Sequence, residues 1–573
     1  MTALVETAHR GRFASADVEL LRLPGGVIEL RSKQRPTDAP ATTLHWLHRW
    51  AATTPSAILL TEVADGGRLA LDYGSAWDRV VQAARALIAR GIGQGVRVAV
   101  IAQNGIDAFV AGHAVMLAGA VWVPIAPQYL RPGADPARIA SVLEMVGPAL
   151  VVVPDESLHE AVPVGYRVET TVAGDGSGRS AGDAGLRLLD RCLADDPAKL
   201  LLTSGSTGTP KAVVYTHRML VNNVRATVDV WPFVDDHPPV LVDWLPWNHA
   251  FGGNANLNMV LLGGGTIHID DAHGRPDALH RTIAAIREFS PTFHAAVPAT
   301  FQALVPVLEA DRGFRTALFG RCDALFSAGA GMPVGAFRRL KALSQTVREL
   351  PVPVLTGWGS TEVGPGATIV HSADSEPGWV GPPLPGVTIR LVPVGDKLEL
   401  RVRSESVTPG YWRDPDRTAA VFDHDGFYRS GDAGRLVDDS RPELGLRFDG
   451  RIADDFKLSN GSWVNVDRLR SSLLALAGNG VRDVVVAGPD RAHLVALFWV
   501  TEGATVDVGA VLAAHNAGTT GQTNLVVAGG VLTEELDAEL LSPKGLIKPA
   551  AFRSAHTALI DDLYRQSTKE NKG

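Results

Sequence analysis

The sequence predicts an α/β protein: a large, multi-layered N-terminal body of βαβ subdomains that includes a β-rich subdomain, then a small α+β C-terminal domain. Three observations predict it. From residue 98 onward, apolar runs of strand length alternate with segments of helical period, the pattern of parallel strands joined by crossover helices. Across 388–403 the pattern becomes a strict Leu-Glu-Leu-Arg-Val-Arg alternation between Gly and Pro turns, as in a half-exposed antiparallel strand. Finally, 573 residues exceed what one hydrophobic core supports.

Taken in order, residues 98–102, 121–125 and 149–153 read as strands, with helical segments at 108–117 and 136–145 between them. The Gly/Ser/Asp-rich stretch 173–185 reads as a mobile surface loop, and 199–203 as the strand after it. The alternation resumes with strands at 240–245, 266–269, 292–297, 324–327 and 353–358 and a helix at 276–288. Beyond residue 450, strands at 483–487 and 494–500 interleave with helical segments. Residues 551–564 read as a closing helix and 566–573 as a frayed polar tail. The domains are therefore expected at 1–450 and 451–573, and neither an internal repeat nor a heptad seam is evident.

Composition narrows the function. With 46% hydrophobic residues each domain can fill a core, and a net charge of −8 with a pI near 6.1 argues against nucleic-acid binding as the main role. Cys192 and Cys322 are the only cysteines, and they lie far apart with no neighbouring ligand cluster, so buried thiols are expected rather than a disulfide framework or zinc site. Glu6, Asp17 and Glu19 precede any long apolar run, and no stretch approaches the ~20 apolar residues of a membrane span. The expected location is the cytoplasm.

The chemistry is concentrated where the strand 199–203 runs into Thr203-Ser204-Gly205-Ser206-Thr207-Gly208-Thr209-Pro-Lys211. Hydroxyl donors, glycines that let backbone N–H groups approach closely, and a mobile ammonium make an oxyanion-gripping loop for a polyphosphate. It is not the nucleoside-triphosphatase loop: its glycines are too close together, and Ala212 stands where a metal-binding hydroxyl belongs. The loop resembles the phosphate signature of the adenylate-forming superfamily, which contains acyl-CoA synthetases, luciferases and peptide-synthetase adenylation domains.

Further stretches resemble that superfamily in the expected order, over about residues 40–560. They are Leu245-Pro-Trp-Asn-His249-Ala-Phe251, Thr356-Gly-Trp358-Gly-Ser-Thr361-Glu362, Tyr428-Arg-Ser-Gly-Asp432, Gly450-Arg451-Ile-Ala453-Asp454-Asp455-Phe-Lys457, and Leu541-Ser-Pro-Lys544-Gly-Leu-Ile-Lys548. The resemblance implies that His249 sits where the acyl group meets CoA and that Asp432 accepts from the ribose diol. It further implies that Arg451 and Lys457, with Gly329 and Ala330, contact the nucleotide, and that one C-terminal lysine bridges carboxylate and α-phosphate. Lys544, flanked by Pro and Gly, fits that last role better than Lys548. Thr361 can donate to a phosphate and Glu362 is a hard oxygen ligand for Mg²⁺. Trp358 offers a face for adenine where the family usually has tyrosine. Ala453 departs from the usual pivoting aspartate of the hinge, which leaves the pivot residue open.

Within the superfamily, residues 240–258 and 448–464 are most similar to bacterial feruloyl-CoA synthetases. That likeness implies an ATP-dependent, AMP-forming acid–thiol ligase using ATP, CoA and Mg²⁺, with the small domain rotating between two half-reactions. Phe293, Val297, Ser327 and Gly364 are expected at the acyl pocket, with small residues such as Ala295, Ala296 and Ala328 on its walls. Asn254, Asn256 or Asn258 would read a phenol hydroxyl, and packing is an equal alternative for the small residues. A fatty acyl-CoA ligase, a stand-alone module loading a carrier protein and a non-catalytic binding homologue are the alternatives. The expected partners are a small carboxylic acid, ATP and CoA, with no nucleic acid and no membrane span, and a homodimer is left open.

Overall fold

The computed structural model describes residues 13–64, 67–172, 182–204, 210–272, 275, 277–460, 462–478, 480–489, 491–501, 503–519, 525–541 and 547–570. Three open sheets and a larger antiparallel sheet form the body. In the first, strands Val168–Glu169, Leu150–Val152, Arg97–Ile101, Val121–Ile125 and Pro197–Ser204 run parallel, and Pro210–Thr216 returns antiparallel at the edge. In the second, Val240–Asp243, Thr266–Ile269 and Ile58–Ala64 are parallel and Gly67–Asp72 is the antiparallel edge. In the third, Phe293–Ala296, Ala324–Ser327 and Val354–Gly359 are parallel and Gly366–Ile369 turns back.

Local chemistry explains where the crossover helices begin and end. Asp135 caps Pro136–Val146 by accepting from the amide of Ala137 at 2.9 Å, Pro136 has the φ that a first helical position needs, and Gly147 ends the helix at φ 60°. Thr216 caps His217–Val230 by accepting from the amide of Met219 at 3.3 Å. The helix Ile106–Leu117 has no polar face and is buried along nearly its whole length.

The β-rich region is a seven-stranded sheet in the order Val18–Arg22, Ile28–Ser32, Thr388–Val394, Lys397–Arg403, Tyr428–Leu436, Leu446–Arg451 and Trp379–Gly381. Its first two strands come from the N-terminus, through pairings such as Leu30 with Ile389. After residue 451, a three-stranded sheet of Val481–Ala487, Leu494–Val500 and Val526–Leu532 carries its own apolar core, with the helices Val466–Ala477 and Val508–Ala517 packed on it. This is the small α+β C-terminal domain.

Two local expectations are corrected. The helix Gly182–Leu189 occupies the end of the stretch read as a loop, while 173–181 lie outside the described residues. The closing segment is two helices, Pro549–Ala555 and Thr557–Glu570, broken at His556 (φ −106°, ψ 26°), so the polar run after Gln566 continues as helix to Glu570. Cys192 and Cys322 are buried free thiols, pushed up to about 11 and about 12 by burial. No helix among the described residues is long and apolar enough to cross a membrane.

Candidate active site

The hairpin of Pro197–Ser204 and Pro210–Thr216 supplies the first wall. Its register sets Lys199 opposite Tyr215 and Thr203 opposite Lys211, and strand alternation puts Lys211, Val213 and Tyr215 on one face. From that face Lys211 Nζ donates to Glu362 Oε1 at 2.7 Å and to the Tyr411 hydroxyl at 2.7 Å, and Tyr411 donates to the same Glu362 oxygen at 3.0 Å. The buried Tyr215 hydroxyl donates to the carbonyl of Thr361. Thr203 is half-buried, with its hydroxyl unpartnered among the described residues. Residues Gly205, Ser206, Thr207, Gly208 and Thr209, with the side chain of Ser204, lie outside the described residues.

Charge and burial oppose each other at Glu362, which is only 5% exposed. Burial alone pushes its carboxyl up, but the Lys211 ammonium, by charge and by hydrogen bond, reverses the direction and holds it below the usual carboxylate range. The same pair holds Lys211 above its ordinary value against burial. A divalent cation fits this donor set. Glu362 is a hard carboxylate on the turn Thr361–Val363, and Mg²⁺ takes one or two carboxylates with phosphate and water oxygens rather than a dedicated protein cage. Among the described residues no cluster of three His, Cys, Asp or Glu side chains offers such a cage.

The second wall is Trp358, Asp432 and Arg451. Trp358, near the end of Val354–Gly359, donates its indole N–H to Asp432 Oδ2 at 2.8 Å. Arg451 lies opposite Asp432 in the strand register, its Nε 3.4 Å from Oδ1. Burial pushes the Asp432 carboxyl up, opposed first by Arg451 and then by the indole. Because the Arg451 side chain is 70% exposed, this ion pair is weak. Trp358 itself is 7% exposed.

His249 is half-buried on the turn after Val240–Asp243, its carbonyl accepting from the amide of Gly253 at 2.9 Å. The chain then forms a single π-helical turn, Phe251–Asn256, continuing into Leu257–Gly263. A Cβ on Gly253 would lie 2.1 Å from the carbonyl oxygen of Trp247, so only glycine allows this turn to press on the His249 loop. A cleft beside it is lined by Asn104, Gln128, Trp244, Pro246, Asn248 and Asp271, among others.

The predicted pocket residues have mixed surroundings. Phe293 is 1% exposed in an aromatic cluster, its ring 5.6 Å from Trp231 and 6.3 Å from Phe233, so it packs the core. Gly364, at φ +117°, sits where a Cβ would lie 2.6 Å from Asn223 Nδ2. Ser327 is buried with its hydroxyl unpartnered among the described residues, and half-buried Val297 precedes the helix Pro298–Ala310. Gly329 and Ala330 are exposed on the loop after Ala324–Ser327. Of the three asparagines, Asn256 donates to Asp243 Oδ2 at 3.1 Å and Asn254 accepts from Lys199, while the amide nitrogen of Asn258 is buried and without a partner among the described residues.

Arg451 leads into the turn Ile452–Asp454. Immediately afterwards Asp455 forms an ion pair with Lys397 of the β-rich sheet at 2.5 Å, the side chains being 6% and 4% exposed, and its other oxygen accepts from the amide of Val466 at 3.1 Å. Lys457 is exposed in the short strand Phe456–Lys457. Lys548 donates to the carbonyl of Glu539 at 3.1 Å. Lys544 lies outside the described residues, between Leu541 and Ile547, which pair in an isolated bridge.

Sequence reasoning missed Tyr411, Tyr215, Lys199 and Lys397. Tyr215 and Lys199 carry a signal, since each falls on the Lys211 side of a strand in period two. Tyr411 and Lys397 carry none, because their partners are distant in the chain.

These walls, a hairpin lysine against one carboxylate and an indole against a second, are those of a nucleotide-binding ligase fold. The chain belongs to the AMP-binding enzyme family, whose model matches residues 47–412, and within it resembles acyl-CoA synthetases. It is 30% identical over 410 residues to feruloyl-CoA synthase of Amycolatopsis sp, covering 69% of this chain and 76% of that protein. It is 28% identical over 506 residues to a methyl-dioxo-octahydro-indenyl propanoyl:CoA ligase of Rhodococcus jostii (strain RHA1), covering 81% and 91%. The fold is that of ATP-bound MatB from Rhodopseudomonas palustris, with a TM-score of 0.70 over 90% of this chain and 99% of that one at 24% identity. The chain spans only 10% of another relative, the hybrid PKS-NRPS synthetase mpsA of Macrophomina phaseolina (strain MS6).

Proposed function

We propose that this chain is an ATP-dependent carboxylate–CoA ligase acting on a hydroxycinnamic acid such as ferulate. A substrate carboxylate oxygen attacks the α-phosphorus of ATP, and the bond to the β-phosphate oxygen breaks. Pyrophosphate leaves with the electron pair, and an acyl-AMP remains. The thiolate of CoA then attacks the acyl carbon, and AMP leaves from the mixed anhydride. The observation that carries the reading is the convergence of Lys211, Tyr411 and Glu362 beside the Trp358–Asp432–Arg451 group: one set suits phosphates, the other a ribose diol.

In this reading Lys211, Thr361 and the loop hydroxyls hold phosphate oxygens, and Asp432 and Arg451 hold the ribose. Mg²⁺ on Glu362 would neutralise phosphate charge when bound. His249 and the neighbouring cleft serve thiol entry. The domain boundary falls at 450/451, with the hinge in 451–455, and Lys544 brings its ammonium to the α-phosphate during adenylation. Support for an aromatic acid comes from the feruloyl-CoA synthase relative. Among the described residues the Ser327 hydroxyl and the Asn258 amide nitrogen are buried without a partner, and in this reading one of them donates to the phenol oxygen.

The test is pyrophosphate release across ferulate, coumarate, benzoates and fatty acids, with and without free CoA. Release with hydroxycinnamates and saturable thioester formation with free CoA are expected. Turnover only of fatty acids refutes the aromatic substrate, and absence of carboxylate-dependent release with every acid refutes the ligase.

A further inference from the structure

Lys199 is a lysine in the protein interior with no carboxylate beside it among the described residues. It is 1% exposed on the strand that leads into the phosphate loop, with its Nζ 4.3 Å from the centre of the Trp122 ring. Burial pushes its ammonium down to about 7. The amine donates to the carbonyl of Gly253 and to Asn254 Oδ1, both at 3.1 Å, inside the π-helical turn Phe251–Asn256. A neutral amine has two N–H donors, which are the number these acceptors need. Gly253 is also the residue whose amide bonds to the His249 carbonyl.

Directly opposite Lys199 in the hairpin register is Tyr215, 0% exposed, whose hydroxyl donates to the carbonyl of Thr361 and lies beside Asn254. One rung of one hairpin thus grips two segments: through Lys199 the π-helical turn whose Gly253 amide bonds to the His249 carbonyl, and through Tyr215 the turn that carries Thr361 and Glu362. Neither side chain has a place in the phosphate, ribose or metal chemistry above.

We propose that Lys199 and Tyr215 are positioning residues, a buried brace that fixes the His249 segment and the Thr361–Glu362 turn at a set spacing. The two ends serve different halves of the reaction, so they come apart by mutation. The kinetic part of the inference rests on the ligase reading; the brace itself does not.

The experiment uses the full chain with Lys199→Met and Tyr215→Phe, both close to the original volume. Amide hydrogen exchange is followed by mass spectrometry, and adenylation is measured separately from thioester formation on supplied feruloyl-AMP. Lys199→Met is expected to speed exchange across 251–258 by about tenfold or more while leaving 361–363 unchanged. It should slow thioester formation by at least about tenfold, with the KM for ATP unmoved. Tyr215→Phe is expected to show the opposite balance: a larger exchange increase at 361–363 than at 251–258, a raised KM for ATP, and a smaller loss in thioester formation than Lys199→Met gives. Uniform exchange changes, or equal losses in both half-reactions that track thermal stability, overturn the brace, as does a local exchange change with no kinetic split. If Lys199→Met does not fold, Asn254→Ala removes one of the two Lys199 bonds and is read in the same way, with a smaller change expected at 251–258 because the Gly253 bond remains. If the wild-type chain releases no pyrophosphate with any acid, the ligase reading fails and the exchange pattern alone decides the brace.

Discussion

Replacing Lys211 with methionine isolates the electrostatics at the centre of the site. The ammonium contacts Glu362 Oε1 at 2.7 Å, the two side chains are 19% and 7% exposed, and the Tyr411 hydroxyl is the other donor to that oxygen. Removing one partner of a buried ion pair costs about 3–5 kcal/mol because the remaining charge is left dry. With Tyr411 retained as a donor, the lower end, about 3 kcal/mol, is expected for the unfolding free energy at pH 7. The pH dependence has a definite sign. In the wild type the Glu362 carboxyl lies below its ordinary 4.5, so its stabilisation is present above that value and is lost as pH falls through the depressed one. In Lys211→Met only burial acts strongly, the carboxyl rises above 4.5, and the penalty is full at neutral pH and shrinks as acid protonates it. Urea unfolding of the wild type, Lys211→Met and Lys211→Met/Glu362→Gln at pH 7 and pH 5 tests this. The single variant's deficit should be smaller at pH 5, and the double variant should regain most of it. A deficit that is absent at pH 7, that grows on acidification, or that the double variant shares in full refutes the reasoning.

Lys544→Ala should lower adenylation by at least about a hundredfold, the scale of one oxyanion donor, and leave thioester formation from supplied acyl-AMP largely intact; equal loss in both steps excludes the assigned role. Trp358→Phe removes the 2.8 Å donor to Asp432, which drives that carboxyl further up. Loss of one bond to a charged group predicts a KM for ATP raised about tenfold, with the acid limb of the profile moved to higher pH; an unchanged KM would contradict it. Gly253→Ala forces a Cβ to 2.1 Å from the carbonyl oxygen of Trp247. A loss of about 1–3 kcal/mol is expected in thermal unfolding, and a variant as stable as the wild type would show that the turn can shift.

Strands that pair with near neighbours were legible because apolar runs and helical period speak locally. The N-terminal strands Val18–Arg22 and Ile28–Ser32 were not, since the sheet that they join is completed by residues more than 350 positions later. The helix Gly182–Leu189 was hidden by Gly182 and Gly185, which lower local helix propensity while its apolar stripe still packs. At the site the motifs marked Lys211, Glu362, Trp358 and Asp432 but not how these pair. The motif marks Glu362 as a hard oxygen ligand, but its ion pair with Lys211, 151 positions away, and the Tyr411 hydroxyl on the same oxygen have no local signal. The ring face of the tryptophan that replaces the usual tyrosine is legible in the motif, whereas the bond from its N–H to Asp432 is not. Such pairings arise from tertiary contact, which a one-dimensional pattern does not encode.

The Lys397–Asp455 pair, 2.5 Å apart and nearly dry on both sides, bridges the β-rich sheet and the first residue beyond the turn Ile452–Asp454. In the domain rotation proposed above, the pair would act as a detent. While closed, it gives one angular setting of that turn a counter-ion on each side; once opened by any swing that carries Asp455 away, both groups hydrate and little remains to pull them back. Resistance to such a swing would therefore be met at its start rather than throughout it.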